Sequence, residues 1–286
     1  MKIYKVVIFK NKYMKKDEIE KMNYTDFIAF IQETNRCPGG KDTIRKIKNI
    51  LNIDQEFTIL DIGSNTGFNS LELAHITKSK IFGIDVSEKC VMESNRKLSE
   101  DILDVKNRVS FQIGSAYNIP FSENSFDLII AGGATAFMTD KGKAINEYER
   151  VVKPWRYVCI TPLFYNSMPP KELIHKINNL IGNEIKVMNL QDWINIFLTT
   201  NLNLELYYVE ENKIKNRSEN DIDKYVDYFL NKPHIKDLED SVRVVIRDKW
   251  KNYIEVFNEN HEYLSYAIVL FRKVYYQEEP EFFKVN

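Results

Sequence analysis

A glycine-punctuated turn after an apolar run constrains this chain more than any other feature. Residues 59–68 read ILDIGSNTGF, which predicts a buried strand, a tight turn and the start of a helix. Gly63 and Gly67 let the backbone approach a ligand closely, and the following helix points unpaired N–H groups toward it. The next apolar run ends at Asp85, where a carboxylate can accept both hydroxyls of a ribose. This pairing predicts a site for a nucleoside-bearing cofactor.

The order of residues in the turn distinguishes two classes of cofactor. A dinucleotide site needs G-x-G-x-x-G to admit a pyrophosphate, whereas here Asp61 stands two residues before Gly63. A carboxylate at that position repels a pyrophosphate and suits an ammonium group, such as that of S-adenosylmethionine. The turn resembles the first motif of the class I S-adenosylmethionine-dependent methyltransferases, an acid followed by glycines at every second position. Asn65 replaces the middle glycine, and asparagine tolerates the positive φ that the turn requires.

Further landmarks follow in the family's order, between about Thr58 and Thr161. The runs GSAYNIPF at 114–121 and SFDLII at 125–130 resemble the loop after the third strand and the fourth strand. Ser115 stands where the family usually has an aspartate that accepts from the adenine amino group, and its hydroxyl accepts more weakly. The run KPWR at 153–156 replaces Lys-Pro-Gly-Gly, which predicts an altered turn without a consequence for activity.

The resemblance implies S-adenosylmethionine as cofactor, S-adenosylhomocysteine as product, and no metal. Most of the implied cofactor-binding positions follow the ends of the first four predicted strands. Two lie in the N-terminal segment, which folds over the cofactor in the phosphoethanolamine and cyclopropane-synthase groups; the alternative is an ordinary turn and a surface tyrosine. The implied positions are Asp61, Gly63, Ser64, Asn65, Gly67, Asp85, Val86, Ser115, Ala116, Tyr117, Gly132, Tyr24 and Gly40.

Strands and helices alternate from residue 57 to about residue 161, which predicts an α/β fold. The resemblance implies a Rossmann-like, seven-stranded, mostly parallel sheet with helices on both faces and an antiparallel hairpin at its edge. The predicted strands are 57–62, 80–85, 108–113, 125–131, 156–161, Leu202 to Glu210 and Tyr263 to Val274; the main helices are 67–77, 87–100 and 139–152.

We divide the chain into an N-terminal segment, 1–45, and a methyltransferase domain, 46–286, with a helical insertion at about 211–262. Within the segment, Lys2 to Phe9 predicts a strand and Tyr24 to Gln32 a helix. The insertion is too long for a hairpin loop and has helical apolar spacing. It is either a surface helical pair that buries one stripe or a lid over the acceptor pocket, lined by aromatic residues. Those aromatic residues are Tyr225, Tyr228, Phe229, Trp250 and Tyr253.

Composition excludes several functional classes. The formal net charge of −1 gives no overall basic field for nucleic acid, and no nucleic-acid partner is expected. The three cysteines, Cys37, Cys90 and Cys159, form neither a C-x-x-C pair nor a disulfide framework, which favours a reducing compartment. The sequence contains no signal-like or membrane-spanning apolar run. We therefore expect a cytoplasmic protein; a homo-oligomer stays open.

The expected reaction is in-line methyl transfer to a small-molecule N or O acceptor, enclosed by the insertion and the N-terminal segment. The loop after the fourth strand reads AGGATAFM and lacks both a histidine and the Asn/Asp-Pro-Pro-Tyr/Phe turn of amino-group methylases of nucleic-acid bases. Tyr24, Asp140 and His234 are candidate bases, and we assign none of them.

Two other classes of function remain open at this stage. A nicotinamide oxidoreductase is disfavoured by Asp61 and by the missing third glycine. A non-catalytic binding or partner subunit on the same fold is suggested by Asn65, by Ser115 and by the unassigned base, whereas the retained Asp61 and Asp85 favour an enzyme.

Overall fold

The computed structural model describes residues 14–34, 36–201 and 203–274, so the strand predicted from Lys2 to Phe9 lies outside the described residues. The described chain has the α/β architecture that the alternating pattern predicts, with helices packed on both faces of a mixed sheet. Its strands are β1 (Thr58–Ile62), β2 (Lys80–Asp85), β3 (Val109–Ile113), β4 (Phe126–Gly132), β5 (Val152–Ile160), β6 (Leu163–Tyr165), β7 (Leu204–Lys213) and β8 (Leu264–Lys273).

The sheet order creates a crevice at one edge. Strands β1 to β5 are parallel, and β8 is antiparallel to β5, β6 and β7. The order is β3-β2-β1-β4-β5-β8-β6, with β7 on β8. Because the order reverses between β1 and β4, their connections leave in opposite directions and open a crevice at the carboxyl ends of these strands. The glycine turn after β1 and Gly132 at the end of β4 lie at this crevice.

The sheet has one short strand more than the seven predicted. Strand β6 continues β5 along the same side of β8, as the pairs Ile160 with Val269 and Leu163 with Tyr266 show. Pro162 stands between the two strands and has no N–H to donate, so the ladder is interrupted there. Strand β7 extends to Lys213, because its pairing with β8 continues past the predicted end at Glu210.

Several helices begin where a polar side chain caps them. The side chains of Asn23, Ser87, Asp140, Asn189 and Ser218 each accept a hydrogen bond from a backbone N–H in the first helical turn. The helices are α1 (Lys16–Lys21), α2 (Tyr24–Phe30), α3 (Gly40–Ile50), α4 (Phe68–Thr77), α5 (Glu88–Glu100), α6 (Leu103–Lys106), α7 (Lys141–Val151), α8 (Lys171–Ile181), α9 (Leu190–Thr200), α10 (Glu219–Leu230), α11 (Pro233–Lys236) and α12 (Asp240–His261).

The apolar core has three parts. One cluster packs α7 and α9 on one face of the sheet and contains the fully buried Tyr148 and Phe197. A second cluster packs α3 and α4 on the other face. The third joins α1 and α2 to α10, α11 and α12, with Phe27, Phe229 and Trp250 inside it. We call these five helices the helical cap.

The aromatic residues of the insertion lie mostly in the core of the helical cap. Phe229, Trp250 and Tyr253 are buried among its helices and form its core, whereas Tyr228 is 65% exposed. The insertion therefore buries its apolar stripe against the N-terminal helices. Its helices begin at Glu219, later than the predicted boundary at residue 211, because β7 occupies the residues before them.

Candidate cofactor site

The turn after β1 adopts the backbone conformation that glycine favours. Gly63, Asn65 and Gly67 have φ of 66°, 47° and 88°. The positive φ at Asn65 confirms that asparagine can stand where the family has its middle glycine. A Cβ on Gly63 would lie 2.4 Å from Ala134 Cβ, and one on Gly67 would lie 2.9 Å from Phe111 Cζ. These two glycines therefore make room for the protein's own side chains, which the sequence analysis did not anticipate.

Gly132, in contrast, leaves room for an added Cβ. Its φ is +41°, and a Cβ there would be in ordinary van der Waals contact with Asn69 Nδ2 at 3.7 Å and Thr161 Oγ1 at 3.9 Å. Three buried polar atoms at the carboxyl ends of β1 and β5 and in the first turn of α4 have no hydrogen-bond partner: Asp61 Oδ1, Asn69 Oδ1 and Thr161 Oγ1. We call these three residues, with Gly132, the polar cradle. Unpartnered buried polar atoms are rare in native proteins, so this group indicates a ligand.

Asp61 carries the electrostatics of the polar cradle. It is 1% exposed, and its Oδ2 accepts a hydrogen bond from Ser70 Oγ at 2.7 Å. Burial raises the pKa of its carboxyl to about 6, against hydrogen bonds from Ser70 and Asn69 that lower it. Within the described residues no cationic side chain pairs with it. A cationic ligand group would supply the missing charge.

Asp85 supports the turn as well as facing the crevice. It is 7% exposed; its Oδ2 accepts from Asn65 N at 2.9 Å and its Oδ1 from Ser87 N at 2.8 Å. Burial raises its pKa. Each carboxylate oxygen keeps a second lone pair, so two hydroxyl donors can still bind. Val86 beside it is 73% exposed and Ile113 at the end of β3 is 57% exposed, which leaves apolar surface next to the acid.

The structure places the predicted adenine-side residues in one turn after β3. Ser115 Oγ accepts from Tyr117 N at 3.2 Å and so holds the turn, while its own proton stays available. Tyr117 Oη lies 3.3 Å from Thr139 Oγ1, and Ala116 is buried. That these residues contact adenine stays a prediction. Ser64 Oγ, also buried and unpartnered, lies on the β2 side of the turn, with its Cβ beside Gly83.

The N-terminal segment lies against the turn. Thr66 Oγ1 is 3.0 Å from the carbonyl oxygens of Glu33 and Thr34. Burial and the nearby Asp61 carboxylate together raise the pKa of the Cys37 thiol to about 12. Gly40, with φ +57°, begins α3 and lines a cleft of about 390 Å³ with Arg36.

Tyr24 and the candidate bases have structural contacts. Tyr24 packs on Tyr253 and Phe257, with ring centroids 5.1 Å and 5.6 Å away. Asp140 Oδ1 accepts from Lys143 N and caps α7. His234 Nε2 lies 3.0 Å from Phe30 O, and burial lowers the pKa of its imidazole. The structure gives none of these three a contact with the polar cradle.

Sequence reasoning missed Asn69 and Thr161. Asn69 lies in the first turn of α4 and Thr161 directly follows β5. Both positions adjoin motifs that the sequence analysis identified. A polar residue two positions after the last glycine, and one at the end of the fifth strand, were the available signals.

The residues present fit S-adenosylmethionine. Asp61 and Asn69 offer buried acceptors for an ammonium group, Asp85 offers lone pairs for ribose hydroxyls, and Val86 offers apolar surface. Gly132, where an added Cβ would meet no atom closer than 3.7 Å, ends β4 at the crevice where such a ligand is expected.

Comparison with known proteins agrees with the fold. Residues 53–180 match the family model described as a methyltransferase domain. A demethylmenaquinone methyltransferase of Lactiplantibacillus plantarum is 30% identical over 122 residues, covering 42% of this chain and 49% of that protein. The match thus spans about half the length of that relative.

Two solved structures share the fold. The crystal structure of MccD protein has a TM-score of 0.70 and 24% identity, over 84% of this chain and 99% of that one. Phosphoethanolamine N-methyltransferase 2 of Haemonchus contortus, in complex with phosphomonomethylethanolamine and S-adenosylhomocysteine, has a TM-score of 0.68 and 16% identity, over 91% of this chain and 60% of that one. The fold and these matches support a class I S-adenosylmethionine-dependent methyltransferase, with the methyltransferase domain matched over residues 53–180. Its cofactor is S-adenosylmethionine.

Proposed function

We propose that this chain transfers the methyl group of S-adenosylmethionine to a nitrogen or oxygen of a small molecule by in-line displacement. The observation that carries the proposal is the polar cradle, whose unpartnered atoms adjoin a crevice overlain by the N-terminal segment. The bound cofactor supplies an electrophilic methyl carbon. The chain's own residues hold and orient the reactants and exclude water.

A second group of unpartnered polar atoms supports a small polar acceptor. Asn260 is 5% exposed, and its Nδ2 donates to Tyr165 Oη at 3.2 Å while its Oδ1 has no partner. Turning the amide over would leave Nδ2 unpartnered instead, so one hydrogen-bonding atom is free in either orientation. Both residues lie beyond the carboxyl ends of the parallel strands, where α12 enters β8 and β6 extends β5.

His261 adds a neutral base to the same end of α12. Its Nδ1 is buried without a partner. Burial and the charge of Arg217 lower the pKa of its imidazole, so the ring is neutral and can accept a proton near neutral pH. An oxygen or ammonium acceptor must lose a proton, and His261 is a candidate for this step.

The names of two relatives point in the same direction. The Haemonchus structure contains phosphomonomethylethanolamine, and the bacterial relative is named for demethylmenaquinone. Both are small molecules. These names support a small-molecule acceptor for this chain, and its identity is a matter for experiment.

The test sorts acceptors by size. Purified protein and methyl-labelled S-adenosylmethionine are incubated with a cell extract that has been divided by ultrafiltration into low-mass and macromolecular fractions. We expect the label in low-mass products. Label in protein or RNA would contradict the proposal, and so would the absence of transfer to either fraction.

A matched pair of glycine variants ties any transfer to the polar cradle. Gly132→Ala adds a methyl group beside Asn69 and Thr161 without a protein clash, and we expect it to abolish most transfer. Gly182→Ala is the control, because Gly182 also has positive φ, at +69°, with no atom within 4 Å of an added Cβ. It carries similar backbone strain at the C-terminal cap of α8, outside the polar cradle, and its transfer rate should match the wild type.

A further inference from the structure

Thr66 connects the cofactor turn to the N-terminal segment, because its hydroxyl group donates its hydrogen bond to that segment. The residue is fully buried between Asn65 and Gly67. Lys97 Nζ donates to Thr66 Oγ1 at 2.9 Å. Because an ammonium group can only donate, the single Thr66 proton is directed to the carbonyl oxygens of residues 33 and 34, each 3.0 Å away.

The insertion holds the same stretch of the segment from the other side. Lys232 Nζ donates to Ile31 O at 3.1 Å and to Gln32 O. Tyr225 Oη donates to Glu33 Oε1 at 2.7 Å. Residues 31–34 thus lie between the cofactor turn and the insertion, with hydrogen bonds to both.

A further contact makes the helical cap one body. Lys249 Nζ, from α12, donates to the carbonyl oxygens of Ile19, Glu20 and Met22 at 2.8, 2.9 and 2.8 Å. These carbonyls lie in the last turn and at the C-terminal cap of α1, where a helix leaves carbonyls without i+4 partners; Ile19 O also accepts from Met22 N. With the shared apolar cluster, these bonds mean that α1 and α2 move with the insertion.

The helical cap also rests on α5, but away from the turn. Lys89 Nζ pairs with Asp26, and Cys90 Sγ contacts Thr25 O at 3.9 Å. The Lys89 side chain is 42% exposed, so this ion pair is screened by water. The buried bond from Thr66 is the contact made by the cofactor turn itself.

We propose that Thr66 is a positioning residue that couples the cofactor turn to the helical cap, so that cofactor binding orders the N-terminal helices and the insertion together. The turn links the cofactor to Thr66, because Asn65 N, next to Thr66, donates to the Asp85 carboxylate that faces the cofactor. The inference rests on the cofactor assignment and adds to it a role for a side chain that does not touch the cofactor.

Hydrogen exchange with and without S-adenosylhomocysteine tests the coupling in the full chain. In the wild type and in Thr66→Ser, the ligand should slow amide exchange in α2 and in α10 and α12 by about tenfold, the scale of one buried hydrogen bond. In Thr66→Val, which keeps the side-chain shape and lacks the hydroxyl, the ligand should still bind and the slowing should fall below about twofold. Thr66→Ala removes the same hydroxyl and replaces Thr66→Val if that variant does not fold.

Two results would overturn the inference. One is equal ligand-induced slowing in Thr66→Val and the wild type. The other is slowing of α2 without α10 and α12 in the wild type, which would show that the helical cap is not one body. If the wild type binds no S-adenosylhomocysteine, the cofactor assignment fails; exchange in the ligand-free proteins, faster in α2 for Thr66→Val than for Thr66→Ser, still tests the Thr66 contact.

Discussion

Two buried aspartates on neighbouring strands have opposite surroundings. Asp127, in β4, is 4% exposed and completely paired: Lys153 Nζ lies 2.8 Å from its Oδ2, Arg156 Nε lies 3.1 Å from its Oδ1, and Thr58 N donates to Oδ2 at 3.0 Å. Asp61, in β1, is 1% exposed and has one oxygen without a partner. Asp127 lies at the amino end of its strand, and Asp61 lies near the carboxyl end, beside the crevice.

The difference shows how this fold separates stability from binding. A buried charge is costly unless it is paired, and at Asp127 two cations and a backbone N–H meet that cost. At Asp61 no cation offsets the cost of burying the charge, and burial accordingly raises the carboxyl pKa to about 6. A cationic ligand removes it, so the incompletely paired aspartate marks the binding edge.

The largest expected effect comes from removing Asp127, the aspartate that is completely paired. Asp127→Ala removes the shared partner of two cations and leaves Thr58 N without an acceptor, so the free energy of unfolding should fall by about 2–3 kcal/mol. Urea denaturation measures it. Asp104→Asn, at an exposed aspartate paired with Arg108, is the control and should leave the midpoint unchanged. A stable Asp127→Ala would mean that the pairing contributes little.

The pH dependence of ligand affinity tests the role of Asp61, the aspartate without a cationic partner. In the free protein the Asp61 carboxyl protonates near pH 6, and only the ionised form attracts an ammonium group. S-adenosylhomocysteine affinity should therefore fall about tenfold between about pH 7.5 and pH 5. Asp85, whose pKa burial also raises, acts in the same direction. Isothermal titration measures the affinity; a flat profile would contradict the role of Asp61.

The smallest expected effect concerns the replaced Lys-Pro-Gly-Gly motif. Trp155 has φ of +62°, a conformation that glycine adopts without strain, and Arg272 stacks on its ring at 5.3 Å. In Trp155→Gly the relief of strain and the loss of stacking offset each other, so unfolding free energy should change by less than about 1 kcal/mol. Cofactor affinity should not change. In the structure residues 153–156 belong to β5 and not to a turn, at a shift in its register with β4. A tenfold loss in titration would show that this part of β5 acts on the site.

The sequence was sufficient for the turn, for the position of Asp85 at the end of β2 and for the succession of the central strands along the chain, because these depend on local spacing. The positive φ at Asn65 agrees with the tolerance of asparagine for that conformation. The grouping of Asn69 and Thr161 around Gly132 did not follow, because it brings together an early helix turn and the ends of two distant strands.

The helical cap was predicted in part. Helical spacing revealed the insertion, but periodicity does not say which surface an apolar stripe covers. Only the fold shows that Phe229 and Trp250 pack with Phe27 from the N-terminal helices. The short strand β6 was missed because Pro162 interrupts a pattern that otherwise continues from β5.

The central claim is that Asp61 is left without a cationic partner in the protein so that the cofactor can supply one, and titration of S-adenosylhomocysteine into Asp61→Asn tests this most directly. The variant keeps the side-chain shape and loses the charge. Because burial raises the Asp61 pKa, the wild type loses stability as pH rises from about 4 to 6, and the variant lacks this loss, so its thermal midpoint near neutral pH should not be lower. Its affinity should be weaker by about 10- to 100-fold, the value of a charge-assisted hydrogen bond. Unchanged affinity in a folded Asp61→Asn protein would contradict the account.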